Sequence, residues 1–317
     1  MPLRISGKLV AITVLLLFAG NAFAAGRCDR TCLKNVLDQY MMAVVKHDPA
    51  AAPLFAGFRQ TENATVVKLG SGLWKTATAL GKVQRRYFDT VNGQAAYFGL
   101  LEENGAPAVV TLRLKVENEK ATEAEWVISR KGDPGLNGPA GGNVFDADNL
   151  IANVPPDKAL SKERMSREEM IAITNSYFDG ITTHDGSIIQ AYPGCIRIEN
   201  GVTMTGRGAP PRGGAPASAR DCTSGLETIN IQNVAARRFP VVDEDAGVVL
   251  AMAVFIRKPG TATRRNMFGE WFFLENHKIR TIYATLFYPP PEMPVPNWPP
   301  FDGNWPLPPV FTAAPVR

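Results

Sequence analysis

Apolar residues return at the three- and four-residue spacing of a helix in two stretches of the chain. Leu33, Val36, Leu37, Tyr40, Met41 and Val44 form one stripe, and Met170, Ile173, Tyr177, Phe178 and Ile181 form the other. Each stretch predicts a helix of about four turns with one buried face. The second opens on Ser166 with Glu169 three residues on, a capping box. Both end at a His-Asp pair, His47-Asp48 and His184-Asp185, and Asp48 before Pro49 makes an N-cap and first-turn pair for a short second helix. Downstream the period shortens towards two. Arg86 to Leu101, Ala108 to Val116 and Ala121 to Ile128 read as β-rich runs, as do Val248 to Phe255, Asn266 to Phe273 and Ile279 to Phe287. Glu117-Asn118-Glu119-Lys120 reads as the tight joint of a hairpin, and Glu275-Asn276-His277-Lys278 stands in the same place in the second set.

The two sets are copies. Laid on itself with a shift of 137 residues, the chain matches Tyr40, His47, Asp48, Glu62 and Asn63 to Tyr177, His184, Asp185, Glu199 and Asn200. Further on, Ser71-Gly72-Leu73 matches Ser224-Gly225-Leu226 at a shift of 153, and Arg85-Arg86-Tyr87 matches Arg237-Arg238-Phe239 at 152. The jump equals the length of a Gly-, Pro- and Arg-rich excursion from Gly206 to Arg220, so one insertion explains the change of register and the pattern argues duplication. Helices first, then an antiparallel meander, predict an α+β class in which the sheet curls over the helices. The expected units are residues 25–131 and 163–288. Residues 132–162, rich in Gly, Pro, Asn and Asp, read as the linker. Residues 289–317 form a Pro-rich tail with Trp298, Phe301, Trp305 and Phe311 interleaved, expected to be an extended strap that packs on the domains or lids a pocket mouth.

A helix, a His-Asp cap, a strand carrying Thr61-Glu62-Asn63 or Ile198-Glu199-Asn200, then long hairpins: this order resembles the nuclear transport factor 2-like fold, which includes SnoaL-like polyketide cyclases, ketosteroid isomerase and scytalone dehydratase. Thr61-Glu62-Asn63, Gly72-Leu73-Trp74, Leu112-Arg113-Leu114-Lys115-Val116, Asn175-Ser176-Tyr177-Phe178-Asp179-Gly180 and Arg238-Phe239-Pro240-Val241-Val242-Asp243 resemble an uncharacterised bacterial and fungal family of tandem copies of that fold. The resemblance covers nearly all of the chain after residue 24. It implies two tandem cone-shaped units, each with N-terminal helices packed on a curved antiparallel sheet, paired with each other as an internal pseudo-dimer. It does not fix an activity, because the superfamily holds enzymes and non-enzymes.

Charge and cysteine content narrow the partners and the compartment. Arg4 and Lys8 precede an apolar run from Leu9 to Ala19 and then Ala22-Phe23-Ala24, which predicts a secretory signal over residues 1–24 and a periplasmic or secreted protein. The run falls short of the about 20 residues that cross a bilayer, so no membrane association is expected after cleavage. The formal charge is +4 with Lys and Arg scattered, giving no support to nucleic-acid binding. Four cysteines in an oxidising compartment favour disulfides. Cys195 and Cys222 flank the excursion and are the expected bridge, whereas Cys28 and Cys32, one helical turn apart, are either a terminal staple or two thiols. With three histidines and no ligand-spaced pair, no metal site is expected. Phosphate-binding, dinucleotide and nucleophile-elbow motifs are absent, so no cofactor is expected and the chemistry open to the chain needs only acid, base and shape.

The candidate catalytic residues are Glu62, Glu199, His184 and Glu125. Glu62 and Glu199 each sit on a predicted strand beside an Asn able to hydrogen-bond it; in an apolar cavity such a carboxyl rises into the range useful for proton transfer, and otherwise it ends a strand at a turn. His47 and His184 titrate near neutrality, or cap their helices. Glu123 and Glu125 alternate with Ala124 and Trp126, so the acidic face looks into a cavity or into solvent. Arg237 and Arg238 can hold an anionic substrate group, or pair with Asp243 across a turn. Tyr40, Trp74, Tyr177, Trp271 and Tyr283 can line a pocket for an aromatic ligand, or form plain core. The reading these support, mainly through the resemblance, is an isomerase, dehydratase or carbon-carbon lyase acting on a small apolar or aromatic molecule. The rival is a module that binds a small molecule or a protein without catalysis.

Overall fold

The structure, a computed structural model, describes residues 28–138, 142–160, 163–206, 220–262, 264–290 and 292–293. The expected signal segment, nearly all of the Gly206 to Arg220 excursion and the four tail aromatics lie outside the described residues.

In the first unit Asp29 caps α1 (Arg30–Val45) by accepting the Cys32 N–H at 2.8 Å, and the helix buries Leu33, Val36, Leu37, Tyr40, Met41 and Val44, the stripe its spacing predicts. His47 takes a left-handed φ of 56° that ends the helix, and Asp48 caps a one-turn 3-10 helix at Pro49–Ala51. Then follow β1 (Leu54–Glu62), β2 (Thr65–Val66), the single turn α2 (Leu73–Thr76), and four long strands, β3 (Ala77–Asp89), β4 (Gln94–Glu103), β5 (Ala106–Glu117) and β6 (Lys120–Arg130). They pair in the order β2-β1-β6-β5-β4-β3. The second unit repeats this with α4 (Arg167–Thr183), a 3-10 turn at Gly186–Ile188, β7 (Ala191–Glu199), β8 (Val202–Thr205), a 3-10 turn at Leu226–Thr228, β9 (Ile231–Asp243), β10 (Val248–Arg257), β11 (Asn266–Glu275) and β12 (Lys278–Phe287), in the order β8-β7-β12-β11-β10-β9. The chain is thus two tandem α+β units, each a helix laid on a six-stranded sheet.

Three expectations need correction. The sheets are mixed, because β1 runs parallel to β6 and β7 parallel to β12. The run from Arg86 to Leu101 is two strands: Asp89 accepts the N–H groups of Val91 and Asn92 and folds residues 90–93 into a hairpin turn. Gly93 closes it at φ 62°, where a Cβ would stand 2.7 Å from the Val116 carbonyl oxygen. Within the stretch read as linker, Asp146 caps a helix, α3 (Ala147–Ala152), that buries Leu150.

Each sheet is covered on both faces, which is why its middle strands read as nearly continuous apolar runs. On β10, Val249, Ala251, Ala253 and Phe255 face α4, while Val248, Leu250, Met252 and Val254 join a second core shared with Phe98, Val109 and Val127 of the first unit. The two sheets therefore pack back to back, with the helices on the outer faces. Contacts across this seam are reciprocal. Arg30 at the start of α1 holds Asp243 at 2.7 and 2.9 Å, and Arg167 at the start of α4 holds Asp89 at 2.6 Å. Asp243 also accepts the Phe88 N–H at 2.8 Å, and Asp89 the Val242 N–H at 3.1 Å. Such pairwise exchange is the mark of a two-fold interface, here between halves of one chain. Both cysteine pairs are bridged, Cys28 to Cys32 and Cys195 to Cys222.

Candidate functional site

The duplicated hairpins put matching residues side by side in two rows. In the first unit Tyr97, Leu112, Trp126 and Glu62 are cross-strand neighbours on the face towards α1. In the second, Ala251, Glu270, Ala284 and Glu199 occupy the same places. Two large rings of the first row have thus become alanines, and a leucine has become an acid.

The first cone is filled. Trp74, Trp126, Tyr40 and Tyr97 are all at most 2% exposed, and the polar atoms of the first three close on one another and on Gln60. Trp74 Nε1 and the Tyr40 hydroxyl both donate to Gln60 Oε1, at 2.8 and 3.3 Å, and Trp126 Nε1 donates to the Tyr40 oxygen at 3.3 Å. Glu62, expected to be braced by Asn63, instead accepts the Leu73 N–H at 2.7 Å and fixes the single turn of α2. Burial raises its carboxyl, against the pull of that N–H and of Arg130. Asn63 and its match Asn200 serve the backbone: each clamps the neighbouring strand through its Nδ2 and Oδ1, on Ile128 and on Leu286.

The second cone keeps space, a cavity of about 360 Å³ walled by Tyr177, Arg197, Glu199, Phe255, Arg257 and Asn266. Arg197 stands where Gln60 does; its Nη1 donates to the Tyr177 hydroxyl at 2.6 Å and its Nε lies 2.9 Å from Glu199 Oε1. Burial works against its charge, and Tyr177, Glu199 and Glu270 outweigh burial and hold its pKa above the ordinary arginine value. Glu270 is 1% exposed, with Oε2 lacking a hydrogen-bond partner. Burial pushes its carboxyl up to about 8, with Arg197 opposing and Glu199 adding. Sequence reasoning missed this residue, although an acid between Phe268 and Phe272 on one face of an alternating strand is a visible signal.

Of the other candidates, Tyr177 and Glu199 meet in this cavity and the rest do not. His184 ends α4 at φ 60° and its Nδ1 lies 3.0 Å from the Leu226 carbonyl oxygen, as His47 lies 2.7 Å from that of Trp74, so both histidines are clasps between a helix end and the next turn. Glu125 faces neither cone nor solvent: it is 4% exposed on the face turned to the other unit, where Arg238 and Arg113 hold it at 2.6 and 3.1 Å. Burial alone would raise it, and the two guanidinium groups hold it below the usual carboxylate range. Arg238 is spent on that pair. Arg237 clasps α4 through Asp179, Asn175 and Thr182. Tyr283 and Trp271 belong to the core between the sheets, with Tyr283 donating to the Asn153 carbonyl and Trp271 to Thr111 Oγ1. Tyr40 and Trp74 plug the first cone. A larger depression of about 560 Å³ near residues 158–165 and 244–247 is a surface feature rimmed by exposed groups such as Arg164 and Asp245. Among the described residues no cluster of three or more side chains suits a metal, and no helix is long and apolar enough to cross a membrane.

Residues 163–286 match the model of a family described as a domain of unknown function (DUF8021). No curated protein matches the chain. Among solved structures, an NTF2-like protein of unknown function from Cytophaga hutchinsonii ATCC 33406 is similar at 10% identity over 31% of this chain and 89% of its own, with a TM-score of 0.26. A protein of unknown function with cystatin-like fold from Methylobium petroleophilum PM1 is similar at 18% identity over 41% of this chain and 82% of its own, with a TM-score of 0.30. By the element order and sheet topology of its own two halves, the chain is a tandem pair of matching α+β units, and the half that matches the family model is the one whose cone is open.

Proposed function

We propose that the second unit is a cofactor-free enzyme of the isomerase, dehydratase or carbon-carbon lyase type for a small, largely apolar molecule, and that the first unit is its packing partner. Glu270 carries this reading. A fully buried carboxyl with an unpartnered oxygen weakens a fold and is retained where its proton is used. In the first unit the same place is the inert Leu112.

The roles follow from the surroundings. Glu199 takes the proton from the carbon beside a substrate carbonyl. Arg197, with Tyr177, stabilises the oxyanion that forms; the Tyr177 oxygen accepts from Arg197, which leaves its own proton for the substrate. Glu270 still holds its proton near neutrality and delivers it to a carbon, giving an isomer, or to a departing hydroxyl, giving water and an alkene. Two disulfides, with no free cysteine among the described residues, support placing this activity in an oxidising compartment, periplasmic or secreted.

The test is proton exchange. Small cyclic ketones with a β,γ double bond or a β-hydroxyl are incubated with the protein in D2O and followed by NMR. Deuterium enters the far carbon of the isomerised double bond, or alkene forms from the β-hydroxy ketone, with the parent protein, roughly 100-fold more slowly with Glu270→Gln or Glu199→Gln, and at the parent rate with Glu62→Gln. Equal rates for parent and Glu270→Gln, or no exchange above buffer, reject the proposal.

A further inference from the structure

We infer that the molecule taken up by the second cone is an anion, an apolar body ending in a carboxylate, and that Arg257 is its counter-ion. The inference rests on reading this cone as a small-molecule site and adds the ligand's charge. Arg257 lines the cavity, half-buried, and its Nε and Nη2 both donate to one neutral acceptor, Asn266 Oδ1, at 3.2 and 2.8 Å. No carboxylate lies within ion-pair distance of it among the described residues. Other arginines are matched: Arg113 and Arg238 by Glu125, Arg130 by Glu103 and Arg197 by Glu199 on the sheets, and Arg167 of α4 by Asp89.

The duplicated fold shows what was lost. In the first unit the last residue of β4, Glu103, holds Arg130 at the end of β6 at 2.6 and 2.9 Å, which closes that end of the cone with a self-satisfied ion pair. In the second unit the last residue of β10 is Arg257, and Tyr288 follows β12 in the place of Arg130. The carboxylate has become a guanidinium and its cation a phenol, so the pair has been replaced by a positive charge at the cavity wall with no carboxylate at ion-pair distance, only the longer-range pull of Glu199. Burial lowers the Arg257 pKa, a cost that a bound anion removes. Arg197 does not compete for the anion, because Glu199 already neutralises it. Ile181, Ile231 and Phe255 give the wall an apolar side, and about 360 Å³ is at the small end of ligand pockets.

Matched probes decide the matter. Benzoate, 3-phenylpropanoate and cinnamate are titrated calorimetrically into the expressed protein beside their neutral amides. The carboxylates bind tighter than the amides by roughly 10- to 100-fold, the range of a charge-assisted hydrogen bond. Arg257→Met erases the preference and leaves amide binding as it was, and Arg257→Lys, which keeps the charge, restores part of it. Amides binding as well as acids, a preference that survives Arg257→Met, or no carboxylate binding at millimolar concentration overturns the inference. The two proposals fail separately: carboxylate preference without proton exchange sinks the catalytic reading and leaves the anion site standing.

Discussion

Between pH 4.5 and about 8 the folded chain keeps on Glu270 a proton that the unfolded chain has lost. Stability falls with rising pH wherever the folded state binds more protons, by about 1.4 kcal/mol per pH unit for one such group. The penalty is absent below the unfolded value of 4.5, grows through the window and levels off above about 8. Glu270→Gln removes it, so urea melts at a series of pH values should show the variant gaining on the parent from pH 5 to 8, to a few kcal/mol. Parallel curves would mean that Glu270 is solvated or paired. The same comparison separates the two buried glutamates among the described residues. Glu125 is equally enclosed, yet two arginines hold it ionised, so its surroundings suit an anion and those of Glu270 suit a proton.

At the scale of elements, the parallel ladders of β1 with β6 and of β7 with β12 are each clamped at one end by an asparagine. Asn63 and Asn200 sit at left-handed φ values of 49° and 46°, a conformation Asn tolerates better than most residues, and from there each amide exchanges two hydrogen bonds with the neighbouring strand. Asn200→Ala loses both bonds and strands the Leu286 N–H and C=O in the core. The expected cost is about 2–3 kcal/mol in a denaturant melt, with faster amide exchange along β12. A loss under about 0.5 kcal/mol would show that packing and the backbone ladder hold the strand without the asparagine. The Glu-Asn pairs were legible in the sequence as a repeated motif. Their division of labour was not, because adjacent residues on a strand point to opposite faces and the motif does not say which face is the cavity.

At the scale of the whole molecule, the seam between the sheets makes the two units one body. Asp89 is fully enclosed and serves Arg167, the Val242 N–H and its own hairpin turn. Asp89→Ala leaves a largely buried guanidinium without its partner, and the expected loss is about 3 kcal/mol or more. The thermal transition should also broaden or split as the units unfold separately. A single sharp transition at the parent temperature would show the seam to be held by its apolar core alone. The same seam claimed Glu125, Arg238, Trp271 and Tyr283, which the sequence offered as site residues. Charged and aromatic residues on a strand are read as a site or a solvated face when one face is assumed to meet water, and here neither does.

The sequence by itself determined the two long helices, most of the long strands, the duplication and its single insertion, the caps at Asp48 and Ser166, the hairpin joints after β5 and β11 and the Cys195 to Cys222 bridge. All of these follow from local spacing, from φ preferences, or from one half matching the other. Only the tertiary structure decided which copy keeps a cavity. That depends on volumes summed across strands distant in sequence: Trp74, Tyr97 and Trp126 fill the first cone, while in the second Ala251 and Ala284 take the places of Tyr97 and Trp126 and a cavity remains between Tyr177, Arg197 and Glu199. A hydrophobic pattern records that a position is buried. It does not record against what, and on sheets covered on both faces that is the difference between core, seam and site.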